Sequence, residues 1–527
     1  MTYAQCAAAA ARAHGRLRKQ PRRPARAGRR DVWKGTEFNR LTFDWHGPLV
    51  PADDEIRTGL SRLRARAREL GRNNPYVKQY LNLLRANVIG PDGFKLQAQV
   101  RNNDGRLTKL YNDRIEEAWA DWCRAPSVDG KLSCIDLQQL ALATTARDGE
   151  VLVRLHRGYD NRYGLALELI DPDLLDEGYW QPAGRREPEI RMGVEVDNYG
   201  RPLAYHLWDA PLAIAGLAQP ERRRIRVPAS EIIHLYAPDR CNQTRGVTWL
   251  APVMYPLNML DGYEDAEITG ARLGSSSMGW FVRKDADAAV VKDGQSEGIQ
   301  MEANPGSFAF APEGYEFQQW DPDHPGTNYP TFIKAVLRKI ASGLGLSYNV
   351  LANDLEGVNY SSMRSGLLIE RDLWRNLQRW WVASFLDRVY TAWLEMSLLS
   401  GGLAMDTRDP RKWRAARWVP RGWAWVDPSK DTTATIDGIH TGLETRTQAL
   451  AEQGKDIEDV FEQLREEKRL AAEYGVDVSG PPQGAAAAPK PKAEDDEDED
   501  DEKPEKAGRN GHVRPAVLAA LRNGGAY

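Results

Sequence analysis

Cysteine is scarce in this sequence, and the four cysteines of the 527-residue chain are far apart. Cys6, Cys123, Cys134 and Cys241 include no CxxC pair. Four scattered cysteines in a chain of this length do not make a disulfide framework. We therefore expect a protein that is made in a reducing compartment, the cytoplasm.

Long hydrophobic runs are also missing. No apolar stretch approaches the roughly 20 residues that a membrane-spanning helix needs. The alanine-rich start, 7–11, is weakly hydrophobic and is interrupted by Arg12, so it does not resemble a signal peptide. These absences predict a soluble protein without a membrane partner.

The usual catalytic motifs are absent as well. The sequence contains no GxxxxGK[ST] phosphate loop, no GxSxG elbow and no HExxH pair, and its eight histidines are dispersed. The acidic pairs Asp171/Asp173 and Asp321/Asp323 flank prolines, which is typical of turns rather than of metal sites. Glu150 begins a predicted strand, where a structural role is favoured. We expect no enzyme activity, no metal site and no cofactor.

Length and charge indicate more than one domain and two chain ends of opposite charge. At 527 residues, with 42% apolar residues and 17 Trp, two or more domains are expected. The net charge of −4 conceals a basic start and an acidic end. Residues 1–30 contain nine Arg or Lys and no acid, whereas 494–502 are nine consecutive acids. Without the basic arm the chain has 62 basic and 75 acidic residues, which argues against a body that grips nucleic acid by net charge.

The first half of the chain predicts an α+β domain. Pro51 opens a helix that carries Leu60 and Leu70 on one face, and Asn74 with Pro75 caps and begins another. Helices are also expected around Trp119 and Leu137. Short apolar runs between Gly, Pro and Asp turns predict strands at 94–100, 151–155, 165–170, 192–196, 203–208 and 232–236.

A helix is predicted over 247–277, with a bend or an irregular start at Pro256. Within it, Ala266, Gly270 and Gly274 recur at steps of four. Small residues in one row allow another helix to approach closely. Their partner is either a helix of the same subunit or the same helix of a neighbouring subunit in a ring.

The most informative region is a pair of helices joined by an acidic, Gly-containing loop, 353–362. Both helices show apolar residues at steps of four, as one face of an α-helix requires: Phe332, Val336, Ile340 and Leu344, then Leu373, Leu377, Trp381, Phe385, Val389 and Trp393. The tryptophans of this region, Trp374, Trp380, Trp381 and Trp393, suit either base stacking or a core. Because they coincide with the apolar stripe, we expect a core or a subunit interface.

The sequence resembles the portal proteins of lambda-type tailed bacteriophages. The resemblance runs in order over roughly residues 50 to 400. Besides the two helices, it is carried by RARARELGRNNPYVKQYLNLLRANVIGPDGFKLQ (64–97), DGEVLVRLHR (148–157), LELIDPDLL (167–175) and EIIHLYAPDRCNQTRGVTWLAPVM (231–254).

This resemblance implies a ring-forming portal fold, usually of twelve subunits, and composition adds the two chain ends. The implied division is: basic flexible arm (1–45), mixed α/β wing (46–245), stem helix (246–282), small α/β clip (283–330), returning helix, tunnel loop (353–361) and long helix (331–400), helical crown (401–475), and disordered acidic tail with a short terminal helix (476–527).

The tunnel loop would project into a channel. Its residues are Asn353, Asp354, Leu355, Glu356, Gly357, Val358 and Asn359. The loop contains two acids and no cation, so repetition around a ring predicts a negative collar that does not hold DNA. Gly357 would give the backbone freedom to move.

The resemblance also implies function and partners. The ring would sit at one vertex of the capsid in the virion, and double-stranded DNA would be packaged and ejected through it without sequence specificity. Partners would be further copies of the chain, the terminase large subunit, the major capsid protein or scaffold, and head-tail connector proteins. Two alternatives stay open: a DNA-processing enzyme whose site is unrecognised, and a cytoplasmic scaffold.

Overall fold

The chain is described by a computed structural model at residues 40, 47, 49–102, 104–209, 222–275, 279–283, 315–319, 328–356, 360–406, 410–423 and 428–476. The predicted basic arm (apart from Arg40), the acidic tail from 477, most of the clip and the Asp321/Asp323 turn lie outside these residues.

Helices form most of the described chain. Their bounds are α1 Ala52–Arg57, α2 Leu60–Asn73, α3 Pro75–Leu84, α4 Lys109–Trp122, α5 Cys134–Asp148, α6 Met254–Ser275, α7 Tyr329–Leu344, α8 Tyr348–Ala352, α9 Tyr360–Trp381, α10 Asp387–Leu399, α11 Pro428–Thr441, α12 Arg446–Glu452 and α13 Ile457–Tyr474. Single π-helical turns extend α3 through Arg85–Ile89 and join α9 to α10 through Val382–Leu386.

The described strands are short, and those that pair with one another are antiparallel. Their bounds are β1 Lys95–Ala98, β2 Glu150–Arg157, β3 Leu165–Ile170, β4 Glu189–Arg191, β5 Val194–Val196, β6 Pro202–Trp208, β7 Arg224–Pro228, β8 Ile232–Tyr236, β9 Gly279–Arg283, β10 Tyr315–Gln319 and β11 Ala416–Val419. They form sheets of order β3-β2-β8, β4-β5-β6-β7, β1-β11 and β9-β10. The α+β class predicted for the first half is confirmed.

The central strand β2 is buried on both faces. Alternate side chains of a strand point to opposite sides of the sheet. Val151, Val153 and Leu155 accordingly join the main helical core, whereas Leu152 joins a second cluster with Val194 and other residues of the four-stranded sheet. The three-stranded sheet is therefore a layer between the helices and the other sheet.

The tryptophans of the long helix lie in the core, as the apolar stripe predicted. Trp381 and Trp393 are fully buried. Trp393 packs edge-on against Trp119 of α4, with ring centroids 5.1 Å apart. The indole N–H of Trp381 donates a 3.0 Å hydrogen bond to Gln138 of α5. These rings therefore join the long helix to the first half of the chain and are not a free stacking surface.

One predicted helix begins later than expected. The helix expected from Val247 begins at Met254, because Thr248 and Trp249 instead bond to the carbonyl of Ala146. Pro256 consequently lies in the first turn, where an N–H has no intrahelical partner, so no bend is required.

Glycines separate neighbouring helices at two places. The helix expected from Pro51 is split into α1 and α2 at Gly59. In the region predicted as a helical crown, Gly454 lies between α12 and α13 and has a φ of +75°. Glycine adopts this left-handed conformation without steric strain. A compact unit ends at Ile457, and Glu458 begins a second one that includes most of α13.

Strand β11 was not predicted. It pairs antiparallel with β1, and Leu96 lies opposite Trp418. Their separation in sequence explains why local patterns did not show the pairing. Among the described residues, no helix has both the length and the apolar character that a membrane crossing requires.

Candidate functional site

The segment between α7 and α9 is held by two left-handed residues. Gly345, with a φ of +72°, ends α7, and its N–H bonds back to the carbonyls of Ala341 and Ser342. Asn353, with a φ of +53°, ends α8. Asparagine tolerates this conformation better than most non-glycine residues. The predicted loop therefore begins at a defined turn and not in the middle of a helix.

Asp354 has three partners. Lys334 Nζ on α7 lies 3.2 Å from its carboxylate, and the Tyr348 hydroxyl donates a 2.7 Å hydrogen bond to it. The backbone N–H of Glu356 donates another at 3.1 Å. The Tyr348 hydroxyl first, and then Lys334, hold the pKa of Asp354 below its ordinary value. The carboxylate is thus charged at neutral pH and tied to α7.

This arrangement corrects one sequence interpretation. The loop itself contains no cation, but Lys334 of α7 opposes the charge of Asp354. Leu355 and Glu356 are exposed, Leu355 to 63%, and Glu356 presents the acid that has no ion-pair partner among the described residues. Gly357, Val358 and Asn359 lie outside the described residues, so the expected freedom at Gly357 stays a prediction.

The other side of the loop is anchored by Glu370, which sequence reasoning missed. Glu370 on α9 is buried, and its carboxylate accepts a 2.7 Å hydrogen bond from the backbone N–H of Ser347, at the start of α8. A Cβ on Gly345 would lie 3.1 Å from Leu373. The turn before α8 is therefore packed tightly against α9. An acid at a helical position gives no sequence signal for such a contact.

The small-residue row of α6 faces outward where it is described. Ala266 is exposed and Gly270 is half-buried, whereas the surroundings of Gly274 lie outside the described residues. Gly262, one step of four earlier, has open space around its Cβ position. The sequence interpretation missed this glycine, although its spacing is the same.

Contacts within the subunit use another part of α6. Tyr263 stacks on Tyr329 of α7, with ring centroids 5.9 Å apart, and meets Phe332 edge-on at 5.2 Å. Leu257 and Leu260 are buried. The aromatic contact with α7 therefore leaves Gly262 and Ala266 accessible.

A buried charge cluster precedes α6. We name it the Glu150 cluster, and it consists of Glu150, Arg64, His234 and Arg245. Arg245 Nε and Nη2 lie 2.9 and 2.5 Å from the Glu150 carboxylate, Arg64 lies at 2.9 Å, and His234 Nε2 at 2.9 Å. Glu150 and Arg245 are completely buried. The structural role predicted for Glu150 is confirmed.

The cluster sets the protonation of two groups. Burial alone would raise the pKa of Glu150, but Arg245 and then His234 outweigh it and hold that pKa well below the ordinary range. Burial lowers the pKa of His234, more than its bond to Glu150 raises it. At neutral pH a neutral imidazole therefore donates to a carboxylate.

Other candidate residues have structural partners. Asp171 accepts the N–H of Asp173 in a 3-10 turn, and both acids form ion pairs with Arg68. Asp173 also pairs with Arg64 at 2.7 Å. The turn interpretation of this pair is confirmed. In the part of the chain that the structure describes, no group of His, Cys, Asp or Glu is arranged to hold a metal ion.

The chain is similar to known proteins. The family model described as phage portal protein, lambda family, matches residues 38–378. A probable portal protein of Halomonas phage phiHAP-1 is 34% identical over 469 residues, which cover 86% of this chain and 90% of that protein. Portal protein B of Escherichia phage lambda is 21% identical over 504 residues, covering 86% and 91%.

Among solved structures, a chain from the neck of a native GTA particle, computed with C12 symmetry, covers 76% of this chain and 92% of its own. Its sequence identity is 14% and its TM-score 0.41. A chain from the neck of an empty GTA particle has a TM-score of 0.39 and 14% identity, covering 78% and 95%. These similarities are distant, and no conclusion about this chain depends on them.

The match to the family model and the relative from phage phiHAP-1 identify a structural component of a phage virion. The chain belongs to the lambda family of phage portal proteins. The family predicted from the two helices and the upstream segments is thereby confirmed, and the role of the chain is that of a portal protein at the phage capsid.

Proposed function

We propose that twelve copies of this chain close into a ring, and that double-stranded DNA passes through its centre during packaging and ejection. The observation that supports the channel assignment is that the base of the tunnel loop is fixed while its tip is exposed. Glu370 and Gly345 fix its base against α9, Lys334 fixes Asp354, and Leu355 and Glu356 remain exposed. Such a loop is suited to face a passing polyanion.

The negative charge of the loop would allow DNA to move past it without being bound. A Lys or Arg that neutralises a phosphate adds salt-dependent affinity for DNA, and a ring repeats each such residue in every subunit. Glu356 offers no such contact. Lys334 is occupied by Asp354 and by the face of Tyr348, whose ring centroid lies 5.3 Å from Nζ. The channel would therefore present unopposed acids and shielded cations to DNA.

Neighbouring copies would meet along α6. Gly262 and Ala266 are accessible, and small side chains allow two helices to approach closely. In a closed ring each subunit uses two different surfaces, one for each neighbour. We assign the small-residue row, including Gly270 and Gly274, to one of them.

The remaining divisions are part of the same proposal and rest on the resemblance to the family. In this assignment 46–245 is the wing, 246–282 the stem, 283–330 the clip, 331–400 the returning helix, tunnel loop and long helix, and 401–475 the crown. The clip would contact the terminase large subunit during packaging and head-tail connector proteins afterwards. The capsid protein or scaffold would surround the ring, which is assembled in the host cytoplasm. We propose no catalytic role, and the work of packaging would come from the terminase.

Packaging by phage that carry altered tunnel loops tests this proposal. Glu356→Lys places one cation per subunit in the channel, and Glu356→Gln is the neutral control. We expect assembled particles that contain little DNA with Glu356→Lys, and nearly normal filling with Glu356→Gln. Normal filling by Glu356→Lys particles would contradict the assignment of this loop to the channel.

A further inference from the structure

A second concave surface is rich in arginine. A cavity of about 550 Å³ opens between α9 with its π-helical continuation, β11 with the loop after it, and α12. Its lining includes Arg375, Arg379, Arg417 and Arg421, and we name it the arginine cleft. Its volume lies within the range of pockets that bind ligands.

The cations of the cleft are incompletely paired. Arg379 and Arg417 are exposed, and neither forms an ion pair with a described residue. Arg421 donates to neutral acceptors, the carbonyl of Ala86 and the side chain of Asn87. Of these four arginines, Arg375 alone has an acidic partner among the described residues, Asp372 at 3.4 Å, and that carboxylate is mostly exposed.

Few acids offset these arginines. The lining contains Asp387 and Glu452, and Asp387 accepts a 2.8 Å hydrogen bond from the indole of Trp418. Burial lowers the pKa of Arg421. Burial and then the neighbouring Arg375 lower the pKa of Arg371 on the same helix face, and Asp431 partly offsets them. Desolvation is thus the main influence on both guanidinium groups.

The aromatic residues of the cleft do not offer faces for nucleic-acid bases. Arg371 and Arg375 lie over the ring of Trp423, at 5.9 and 6.0 Å from its centroid, and Trp418 is buried against Trp119. Stacking on bases needs an open aromatic face. Arginines arranged in this way instead suit carboxylates, which they bind through paired N–H donors.

We propose that the arginine cleft binds the acidic run 494–502 of this same protein, from its own copy or a neighbouring one. The run supplies nine consecutive carboxylates, the charge that the cleft lacks. Residues 477–493 separate it from the last described residue, and 17 residues can span up to about 60 Å. Attachment to the same protein also raises the effective concentration of the run.

Binding of a synthetic peptide tests the proposal. The host is the full-length protein in which the acids of 494–502 are replaced by their amides, which leaves the cleft without its internal occupant. The probe is a fluorescent peptide of residues 490–506. We expect saturable binding that weakens steeply as salt rises. Arg379→Gln with Arg417→Gln should weaken it at least about tenfold, the change expected when two charge-assisted contacts are lost.

Matched controls separate the cleft from general electrostatics. Arg62→Gln with Arg66→Gln removes the same charge from exposed positions of α2, which do not line the cleft, and should leave binding unchanged. A peptide with amides in place of the acids should not bind. Equal binding by both double variants, or no binding to the host, would overturn the proposal. A short DNA duplex can also be tested as a competitor. If the duplex displaces the peptide, and if the duplex itself no longer binds to the variant with Arg379→Gln and Arg417→Gln, the cleft is a nucleic-acid site and the proposal is overturned.

Hydrogen exchange of the unaltered chain provides the second measurement. Backbone amides of 375–379 and 416–421 should exchange more slowly in the natural sequence than in the chain with the neutralised acidic run. Identical exchange in the two proteins would show that the run does not occupy the cleft in the intact protein.

Discussion

The Glu150 cluster and the tunnel loop both pair a carboxylate with a cation, but the first is buried and the second lies at the surface. Glu150 is completely buried and has Arg64, Arg245 and His234 around it. Asp354 is held by one lysine and one tyrosine at the surface. When a buried ion pair loses one partner, the remaining buried charge strongly destabilises the fold, whereas an ion pair at the surface contributes little to stability. The first site therefore fixes the fold, and the second positions a loop that can be altered without unfolding the chain.

The largest effect is expected from Glu150→Gln. The amide leaves Arg245 and Arg64 buried without a full countercharge, and removing one partner of a buried ion pair costs about 3–5 kcal/mol. Denaturant unfolding should show a loss of this size. Glu189→Gln, in a partly exposed pair with Arg191, is the matched control and should change the free energy of unfolding by less than about 1 kcal/mol. Equal losses in both variants would remove the distinction between the two settings.

Glu356→Lys should affect packaging and leave stability nearly unchanged, the opposite of Glu150→Gln. It should leave the free energy of unfolding nearly unchanged, because Glu356 is exposed, yet it should reduce the DNA content of particles. Each new phosphate contact makes DNA affinity depend more steeply on salt. Packaging in vitro should therefore recover as salt is raised, for as long as the terminase remains active. A defect that is independent of salt would indicate damage other than retention of DNA.

The pH dependence of stability reports on the buried groups of the Glu150 cluster. The pKa of His234 and that of His206 are lowered in the folded chain, so the unfolded chain binds more protons below its ordinary histidine pKa of about 6.5. Stability should be fully present above pH 6.5 and fall as the pH decreases from there. A second fall should begin below about pH 4.3, where unfolded glutamate is protonated but Glu150 is not.

Variants assign these two falls. His234→Gln should reduce the fall that begins near pH 6.5 and leave the contribution of His206, and Glu150→Gln should reduce the one that begins near pH 4.3. His440 is exposed to solvent, so His440→Gln is the control and should leave both falls in stability unchanged. Unfolding curves between pH 3 and 8 that are parallel for all of these proteins would contradict the protonation states assigned to the cluster.

The smallest effect on stability is expected from Lys334→Ala. The pair with Asp354 is exposed to solvent, so the midpoint of thermal unfolding should hardly move. Backbone amides from Tyr348 to Glu356 should nevertheless exchange several-fold faster, because the loop loses its tie to α7. Lys339→Ala, on the same helix and without a described ion pair, is the control. Unchanged exchange would show that Lys334 does not hold the loop.

Local features of the fold were predictable from the sequence. Asn74 caps α3 by accepting the N–H of Val77, and Pro75 begins that helix, as their residue types required. Trp381 and Trp393 are buried because the four-residue spacing places them on one apolar face. The acidic character of the tunnel loop was also predictable, since Asp354 and Glu356 are separated by a single residue in the chain.

Contacts between distant residues were not predictable. Glu150 was assigned a structural role, but nothing in the sequence paired it with Arg245, 95 positions later. Lys334 is one of several cations on α7, and only the turn at Gly345 brings it back to Asp354. The start of α6 was misplaced because the tertiary bond from Trp249 to Ala146 replaces the first helical turns. Local patterns describe helices and loops, and the fold decides which charges meet.

Electron cryo-microscopy of the purified full-length protein tests the central claim most directly. We predict closed rings with an open centre, in which Glu356 lines the narrowest part and α6 contacts the adjacent subunit. Particles that remain compact monomers, or rings whose Glu356 faces the outside, would contradict it.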